Sequence, residues 1–282
     1  MTAPSARPRR IALVTGATDG IGRATALALA DKGFEVVLHG RSDERLAQSA
    51  DFVRKHAPRD ATVHTARAEL ASLRDVLRMA EELRGRFPAL HALVLNAGVF
   101  SNERRESIDG YELTLAVNHL AHFLLARELV APLAAGAAEG HGRVVTVSSI
   151  AHSRGRIAWD DPMLVRAYSG YAAYAQSKLM NVMFSNELAR RVAGKSITSN
   201  SLHPGVITTK LLREGFGTSG APVSEGAKTS VLLATDPALA RTTGGYFADQ
   251  RPARMSPTAE DPAACARLWS ESEKWITAAL SR

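Results

Sequence analysis

The most informative absences in this chain of 282 residues concern cysteine and long apolar runs. Its single cysteine, Cys265, excludes an internal disulfide and a metal site built from several thiolates. No stretch approaches the roughly 18 uncharged apolar residues of a membrane span, and residues 1–10 lack the apolar segment of a secretory signal. There is no Gly-x-Ser-x-Gly elbow either, which disfavours a serine hydrolase. We therefore expect a cytoplasmic protein that has no membrane anchor.

Basic residues are in excess, but they are not concentrated in one place. The 35 Lys and Arg exceed the 28 Asp and Glu, which gives a net charge of +7. The only dense basic run is Arg-Pro-Arg-Arg at residues 7–10, and the other basic residues are scattered along the chain. An Arg-rich, solvated surface explains this distribution better than a nucleic-acid interface does. We expect no nucleic-acid partner.

A metal site is not expected. His119 and His122 stand three residues apart in a predicted helix, but no acidic residue accompanies them. We interpret them as packing or surface histidines.

Short apolar runs and helical segments alternate along the chain. Residues 10–15 and Arg143–Val147 have the nearly continuous hydrophobicity of buried parallel strands, and apolar residues at helical spacing follow the first of them. A long Ala- and Leu-rich helix is predicted over residues 111–135, and no linker or repeat divides the chain. The pattern predicts one doubly wound α/β domain over residues 1–282. It would be a Rossmann domain with a parallel sheet of about seven strands and helices on both faces.

A glycine-rich turn lies between the first predicted strand and the first predicted helix. Its glycines permit a tight turn and a close approach of the backbone to a pyrophosphate, and the helix N-terminus offers free N–H groups. Three glycines could serve a tight turn alone, but this position in an α/β chain favours a dinucleotide site. The predicted contacts are Gly16, Thr18, Asp19, Gly20, Ile21 and Gly22.

The second predicted strand ends without the acidic residue that accepts hydrogen bonds from the adenosine ribose of NAD. The sequence at this point is His-Gly-Arg-Ser, residues 39–42. A carboxylate would repel the 2′-phosphate of NADP, whereas Arg41, aided by Ser42, can bind it through charge-assisted hydrogen bonds. The alternative is that Arg41 is an ordinary solvated turn residue. The pattern favours NADP(H) over NAD.

Tyr174 and Lys178 stand four residues apart in a predicted helix, so they share one face. A phenol beside an ammonium can exchange protons near neutral pH, because the cation favours the phenolate. Ser148 and Ser149 end the preceding strand, at the edge where open α/β sheets bind ligands, and the pattern does not decide which serine faces the cleft. Asn118, inside an apolar helix, is either a polar core residue or a site residue.

Taken in order, these motifs resemble the signature set of the short-chain dehydrogenase/reductase family over nearly the whole chain. The matching segments are residues 15–22, 96–98, 118, 147–149, 174–178 and 204–205. Within the family, the chain is most similar to the branch that contains retinol dehydrogenases and protochlorophyllide reductase. The segments that carry this similarity are residues 117–125, 174–181, 245–249 and 266–269.

The resemblance implies a catalytic set of Asn118, Ser149, Tyr174 and Lys178. Tyr174 would be the general acid/base on the substrate oxygen, and Lys178 would lower its pKa and bind the nicotinamide ribose. Ser149 would orient the substrate carbonyl, and Asn118 would hold a water in a proton relay to Lys178.

The resemblance also implies further cofactor contacts. The family usually has an Asp after the third strand, where this chain has Glu69 and Leu70. The remaining implied contacts are Asn96, Ala97, Gly98, Tyr174, Lys178, Pro204, Gly205, Val206 and Thr209.

We expect an NADP(H)-dependent oxidoreductase that interconverts a small-molecule carbonyl and an alcohol by hydride transfer. An insertion over about residues 150–170 would overhang the substrate, and a Gly- and Ser-rich segment over about 210–225 would form a mobile lid. Two alternatives are reduction of an activated C=C bond at the same site and a non-catalytic NADP-binding sensor. The helix over 111–135 and the Tyr174 helix could form a homodimer interface, and a monomer is the alternative.

Overall fold

An eight-stranded sheet forms the centre of the molecule. The computed structural model describes residues 10–140 and 142–282, so the basic run at residues 7–10 lies outside the described residues except for Arg10. The strands are β1 (Arg10–Val14), β2 (Phe34–Gly40), β3 (Val63–Arg67), β4 (Ala92–Leu95), β5 (Arg143–Val147), β6 (Thr198–His203), β7 (Tyr246–Ala248) and β8 (Arg251–Pro252). Their order is β3-β2-β1-β4-β5-β6-β7-β8, with every pair parallel except β7 and β8. The doubly wound sheet is therefore confirmed, and the short antiparallel β8 is an addition.

Helices cover both faces of this sheet. They are α1 (Gly20–Asp31), α2 (Asp43–His56), α3 (Leu73–Arg86), α4 (Leu113–Leu115), α5 (Ala121–Glu128), α6 (Val130–Ala138), α7 (Gly170–Arg191), α8 (Lys210–Phe216), α9 (Val223–Thr235), α10 (Pro257–Glu260) and α11 (Pro262–Leu280). Alternate strand residues face opposite layers: Leu13 packs in the core under α3, α5, α7 and α11, and Val14 packs under α1, α2 and α9. This two-sided burial explains the continuous apolar runs of the strands.

The long helix predicted over residues 111–135 is broken in the structure. A π-helical turn, Ala116–Leu120, separates α4 from α5, and the axis bends by 55° between α5 and α6. Pro132 explains the bend, because its ring excludes the hydrogen bond to the carbonyl four residues earlier. That carbonyl, of Glu128, instead accepts a hydrogen bond from the guanidinium of Arg84 at 3.2 Å. The prediction of one continuous helix was wrong.

These helices also bear on the membrane and on assembly. Across residues 10–140 and 142–282 no single helix is long and apolar enough to span a membrane, although the bent pair passes by length and composition when its halves are combined. Helix α5 is largely buried in the core, whereas α6 buries one face and exposes the other. The C-terminal α11 packs along α7 and also contacts α3, and α10 packs on α7. Helix α7, which a homodimer was expected to use, is therefore covered by the chain's own C-terminal helices.

Candidate active site

The sequence motifs converge on one pocket at the carboxyl edge of the sheet. The pocket has a volume of about 900 Å³ and is bounded by the turn after β1, the ends of β2 to β6, the start of α7 and helix α8. All predicted catalytic and cofactor residues line it except Ser42 and Asn118. An open α/β sheet provides a crevice at this position because the strand order reverses between β1 and β4.

The glycine turn leaves no room for side chains. Gly16 has a φ of 64°, and a Cβ there would lie 2.9 Å from Cα of Ala97. A Cβ on Gly22 would collide with the carbonyl oxygen of Gly16 and would lie 2.6 Å from Nδ2 of Asn96. Asp19 caps α1, since its carboxylate accepts a hydrogen bond from the Gly20 N–H at 2.7 Å. The turn therefore presents bare backbone to the pocket, as a pyrophosphate site requires.

Thr15 joins the glycine turn to the turn at residues 96–98. Its hydroxyl oxygen accepts hydrogen bonds from the N–H groups of Asn96 at 2.8 Å and Ala97 at 3.0 Å. The Asn96 side chain donates in return to the carbonyl of Thr15 at 2.9 Å. The sequence motif predicted Asn96 and Ala97 as ligand contacts, and the structure adds that they position the turn.

His39 supports the same turn from below, and sequence reasoning missed it. Its Nδ1 accepts a hydrogen bond from the Gly16 N–H at 3.2 Å, so its proton is on Nε2, which donates to the carbonyl of Ala68 at 3.2 Å. Burial lowers the pKa of His39 to about 4, against smaller opposite effects of the Ala68 carbonyl and Glu69. The signal that could have identified it is a histidine inside an apolar strand, because a buried imidazole needs hydrogen-bond partners.

Arg41 and Glu69 meet at the end of the pocket beyond β2. The Arg41 side chain is 76% exposed, and its Nη1 lies 3.7 Å from Oε2 of Glu69. Oε1 of Glu69 accepts a hydrogen bond from the Ala71 N–H at 3.1 Å. The predicted contribution of Ser42 needs correction, because its hydroxyl caps α2 by accepting from the Arg45 N–H and it does not line the pocket. An acid, Glu69, does stand beside Arg41, but it follows β3, whereas the ribose-binding acid was sought at the end of β2.

Ser149, Tyr174 and Lys178 come together at the other end of the pocket. Both serines line the pocket, but the Ser148 hydroxyl donates to the Lys178 carbonyl at 2.7 Å, whereas the Ser149 hydroxyl is hydrogen-bonded to Tyr174. Ser149 is therefore the serine whose hydroxyl stands beside the phenol. The ammonium of Lys178 donates to the carbonyl of Val147 at 3.1 Å and lies 5.6 Å from the centre of the Tyr174 ring. One turn of α7 therefore presents the phenol and the ammonium together, as their spacing predicted.

The pKa of Tyr174 shifts in the direction opposite to the one implied by the resemblance. Burial raises it to about 12, and the hydrogen bond with Ser149 opposes this only in part. Burial also lowers the pKa of Lys178 to about 8. Both shifts have the same cause, because a poorly solvated site disfavours the phenolate and the ammonium alike. Desolvation is the largest effect on both groups, so Tyr174 is a protonated donor at neutral pH.

Asn118 lies in the π-helical turn, directly behind the pocket. Its Oδ1 accepts from the Val99 N–H at 2.8 Å, and its Nδ2 donates to the Val99 carbonyl at 3.1 Å and to the Ser177 hydroxyl at 3.0 Å. A Cβ on Gly98 would be 3.5 Å from both Asn118 Oδ1 and Lys178 Nζ. Asn118 is therefore a buried polar residue that holds the wall of the site, and its side chain is engaged with protein groups.

Aromatic rings enclose Tyr174 on the side away from the cofactor turn. The centres of the Phe100 and Phe216 rings lie 5.8 Å and 5.7 Å from that of Tyr174, and 4.8 Å from each other. Gly215 permits this contact, since a Cβ there would be 2.8 Å from the Phe100 ring. Leu211 packs in the same cluster. Sequence reasoning missed Phe100, whose position depends on tertiary contacts.

The segment predicted as a lid contains a helix that was not predicted. Helix α8 begins after the cap Thr209, ends at Gly217 in the left-handed conformation, and has no buried residue. Its base is closed by Thr208, whose hydroxyl exchanges hydrogen bonds with the backbone of Gly220 at 2.7 and 2.8 Å. Opposite it, the 3₁₀ turn Ile150–Arg154 from the predicted substrate loop lines the pocket.

Comparison with known proteins agrees with this architecture. The family model for short chain dehydrogenases matches residues 10–218. A Streptomyces sp. (strain C5) protein provisionally named as a daunorubicin C-13 ketoreductase is 40% identical over 96% of this chain and 97% of its own length. Retinol dehydrogenase 13 of Homo sapiens is 35% identical, over 95% of this chain and 85% of its own. L-Sorbose reductase from Gluconobacter frateurii, solved with NADPH and L-sorbose, has a TM-score of 0.68 and 25% identity, covering 85% of this chain and 94% of that one.

Proposed function

Because the chain belongs to the short-chain dehydrogenase/reductase family and to its retinol dehydrogenase-like branch, we propose that it is an NADP(H)-dependent oxidoreductase that interconverts a carbonyl and an alcohol. One observation carries the proposal. Ser149, Tyr174 and Lys178 meet at one end of a pocket whose other end is the bare glycine turn. A proton donor, a carbonyl-orienting hydroxyl and a cation beside a dinucleotide cradle are the groups that carbonyl reduction needs.

The residues present fit a dinucleotide. Gly16 and Gly22 line the pocket without side chains, so the backbone of the turn is accessible there, and the packing behind them leaves no space for a Cβ. The N-terminus of α1 opens on the same pocket. The residues that would hold the cofactor are those of the turn, Arg41, Glu69, Leu70, the 96–98 turn, Lys178 and the segment 204–209. When bound, the nicotinamide supplies or accepts the hydride.

Arg41 supports the preference for NADP over NAD. It lines the pocket, its side chain is largely exposed, and a guanidinium suits a phosphate. Glu69 works against this preference, because it stands 3.7 Å from the guanidinium. A 2′-phosphate would compete with Glu69 for Arg41 and has the advantage of its greater charge. That L-sorbose reductase was solved with NADPH agrees with this assignment.

The proton chemistry rests on Tyr174 and its neighbours. In the reductive direction, the substrate oxygen takes the proton of Tyr174 as its carbon takes the hydride, and Ser149 holds that oxygen by a hydrogen bond. Burial keeps Tyr174 protonated, with a pKa of about 12, and Lys178 stabilises the phenolate that forms. We retain a water-holding role for Asn118 as part of the proposal. Since its side chain is engaged with Val99 and Ser177, the group for that role would be its main-chain carbonyl, which also lies 3.2 Å from Nδ1 of His122.

The substrate side of the pocket suits an apolar carbonyl compound. Phe100, Leu211 and Phe216 surround Tyr174 with hydrocarbon, and the basic residues of the loop and lid that line the pocket, Arg154, Lys210 and Arg213, are exposed. The names of the relatives, a daunorubicin ketoreductase and a retinol dehydrogenase, refer to bulky, largely apolar molecules. We assign the insertion 150–170 and the lid 210–225 to the recognition of this part of the substrate. The covering of α7 by α11 favours a monomer over a homodimer.

The test is NADPH oxidation against a panel of ketones, aldehydes and quinones. Tyr174→Phe should reduce turnover about 10³-fold, because it removes the general acid but keeps the ring. Tyr111→Phe is the matched control, since the Tyr111 hydroxyl donates to the carbonyl of Trp275 away from the pocket. Turnover that survives Tyr174→Phe would contradict the mechanism. Tight NADPH binding without turnover would favour the non-catalytic sensor. Products in which an activated C=C bond has been reduced to a single bond would favour the C=C reductase.

A further inference from the structure

His122 is a buried histidine behind the cofactor turn, and the mechanism above gives it no role. It lies on α5, is 1% exposed, and is one turn after Asn118. His119, three residues earlier, is equally buried, and the one polar partner of its side chain within the described residues is the Ser272 hydroxyl of α11, at 2.8 Å. The two histidines, one in the π-helical turn and the other in α5, are therefore equally buried but differ in the groups that they contact.

The hydrogen bonds of His122 have a definite direction. Its Nδ1 lies 3.2 Å from the carbonyl oxygen of Asn118, which can only accept, so Nδ1 carries the proton. Its Nε2, 3.0 Å from the Thr15 hydroxyl, is then an acceptor. The Thr15 oxygen already accepts from Asn96 and Ala97, so its hydrogen is the group that can be donated. Of its two possible acceptors, Nε2 of His122 at 3.0 Å is closer than the Val94 carbonyl at 3.4 Å. Burial and the nearby Lys178 cation lower the pKa of His122 to about 3, so the imidazole is neutral.

These contacts make one continuous network across the back of the site. At one end Thr15 hydrogen-bonds the turns that bound the cofactor site. At the other end the Asn118 side chain hydrogen-bonds Val99 and also Ser177, which precedes Lys178 on α7. We propose that His122 is a positioning residue: it ties the Thr15 hydroxyl to the main-chain carbonyl of Asn118. It thereby fixes the position of the cofactor turn relative to residues 98–99, which lie beside Lys178 and are held by the Asn118 side chain. Its effect on turnover rests on the function proposed above, whereas its effect on cofactor binding does not.

The test compares His122→Leu with His119→Leu. Both remove a buried neutral imidazole from consecutive helical segments, so both should lower the unfolding midpoint by a similar amount. His122→Leu should also weaken NADPH binding about tenfold and lower kcat about tenfold, because it frees the Thr15 hydroxyl and the Asn118 carbonyl. His119→Leu should leave both values within about twofold. NADPH fluorescence titration and steady-state kinetics, well below each unfolding midpoint, give the two values. Equal losses in both variants, or none in His122→Leu, would overturn the proposal.

Two further variants keep the test decisive if His122→Leu does not fold. Thr15→Val removes the hydroxyl at nearly constant volume and should weaken NADPH binding by at least the same factor, because the hydrogen bonds from Asn96 and Ala97 are lost together with the bond to His122. His122→Gln can donate to the Asn118 carbonyl and accept from Thr15, so it should stay within about threefold of the wild type. In the double variant Thr15→Val/His122→Leu the loss should be smaller than the product of the two single losses, because the two changes share the Thr15–His122 bond. Fully multiplied losses would contradict the proposal. If the wild type turns over no carbonyl, the function fails, and the NADPH affinities still decide the role of His122.

Discussion

The two ends of the pocket are built in different ways. At the cofactor end, backbone fills the space: Gly16 and Gly22 exclude side chains, and the buried polar groups of Thr15 and His39 hold the turn through hydrogen bonds. At the substrate end, side chains fill the space. Helix α8 has no buried residue, and it contacts the body of the protein through the ring of Phe216 and the side chain of Leu211.

This difference explains what each end can specify. A backbone cradle fixed by buried hydrogen bonds can fit one rigid group, and small changes in it are costly. An exposed helix that rests on apolar side chains can move and change its residues at little cost to the fold. We therefore expect mutations at the cofactor end to act on all substrates alike, and mutations at the substrate end to change the preference among substrates.

The largest effect is expected at Gly22. Gly22→Ala places a methyl group against the Gly16 carbonyl and 2.6 Å from the Asn96 amide, both of which belong to the cradle. NADPH binding should weaken about 100-fold, as expected for overpacking against backbone. Gly85→Ala is the control, because Gly85 lies exposed in the last turn of α3 with no atom within 4 Å of the added methyl. Isothermal titration would measure both, and unchanged affinity in Gly22→Ala would show that the turn does not hold the cofactor.

A second effect at the cofactor end concerns the choice of cofactor. Arg41→Ala should lower the preference for NADPH over NADH about 30-fold, because a charge-assisted contact to the 2′-phosphate is lost. Arg67→Ala is the matched control: this exposed arginine, 3.4 Å from Asp43, does not line the pocket. The measurement is kcat/KM with each cofactor. A preference that survives Arg41→Ala would return Arg41 to the role of a solvated turn residue.

Much of the fold could be predicted from local pattern. Strand β5 has the predicted bounds, because a continuous apolar run is a local signal. The long helix failed at two points of different kinds. Pro132 was a visible local signal, whereas the π-helical turn at Asn118 depends on tertiary contacts with Val99 that no local pattern contains.

In the site, too, the features that local motifs fix could be predicted, and those that depend on tertiary contacts could not. The spacing of Tyr174 and Lys178 and the glycine turn predicted groups that the structure brings together, because these motifs fix backbone geometry. The choice of Ser149 over Ser148 needed the resemblance. The direction of the Tyr174 pKa could not be predicted, since it follows from burial by α8 and Phe100, which lie far away along the chain.

The substrate end should respond selectively. Phe216→Ala should raise KM about tenfold for a bulky apolar ketone, because the phenyl ring would otherwise cover the ligand. It should leave the NADPH affinity and kcat/KM for a small ketone within about twofold, since Phe216 is 38% exposed and lies on a helix with no buried residue. Parallel loss with both ketones would mean that α8 supports the catalytic geometry as a whole.

The smallest effect is a pH dependence of the free energy of unfolding at the cofactor end. Burial lowers the pKa of His39 from 6.5 to about 4, so protons bind preferentially to the unfolded chain. The stability that His39 contributes is therefore present above pH 6.5 and is lost as the pH falls towards 4. By pH 6 the loss in the free energy of unfolding is about 0.8 kcal/mol.

His39→Gln isolates this contribution. A glutamine can accept from the Gly16 N–H and donate to the Ala68 carbonyl as His39 does, but it does not titrate in this range. Urea unfolding at pH 7.5 and pH 6 should therefore show the wild type losing about 0.8 kcal/mol more than the variant. Equal losses would mean that His39 is protonated as readily in the folded protein as in the unfolded chain. The cofactor turn would then be held by something other than a neutral imidazole.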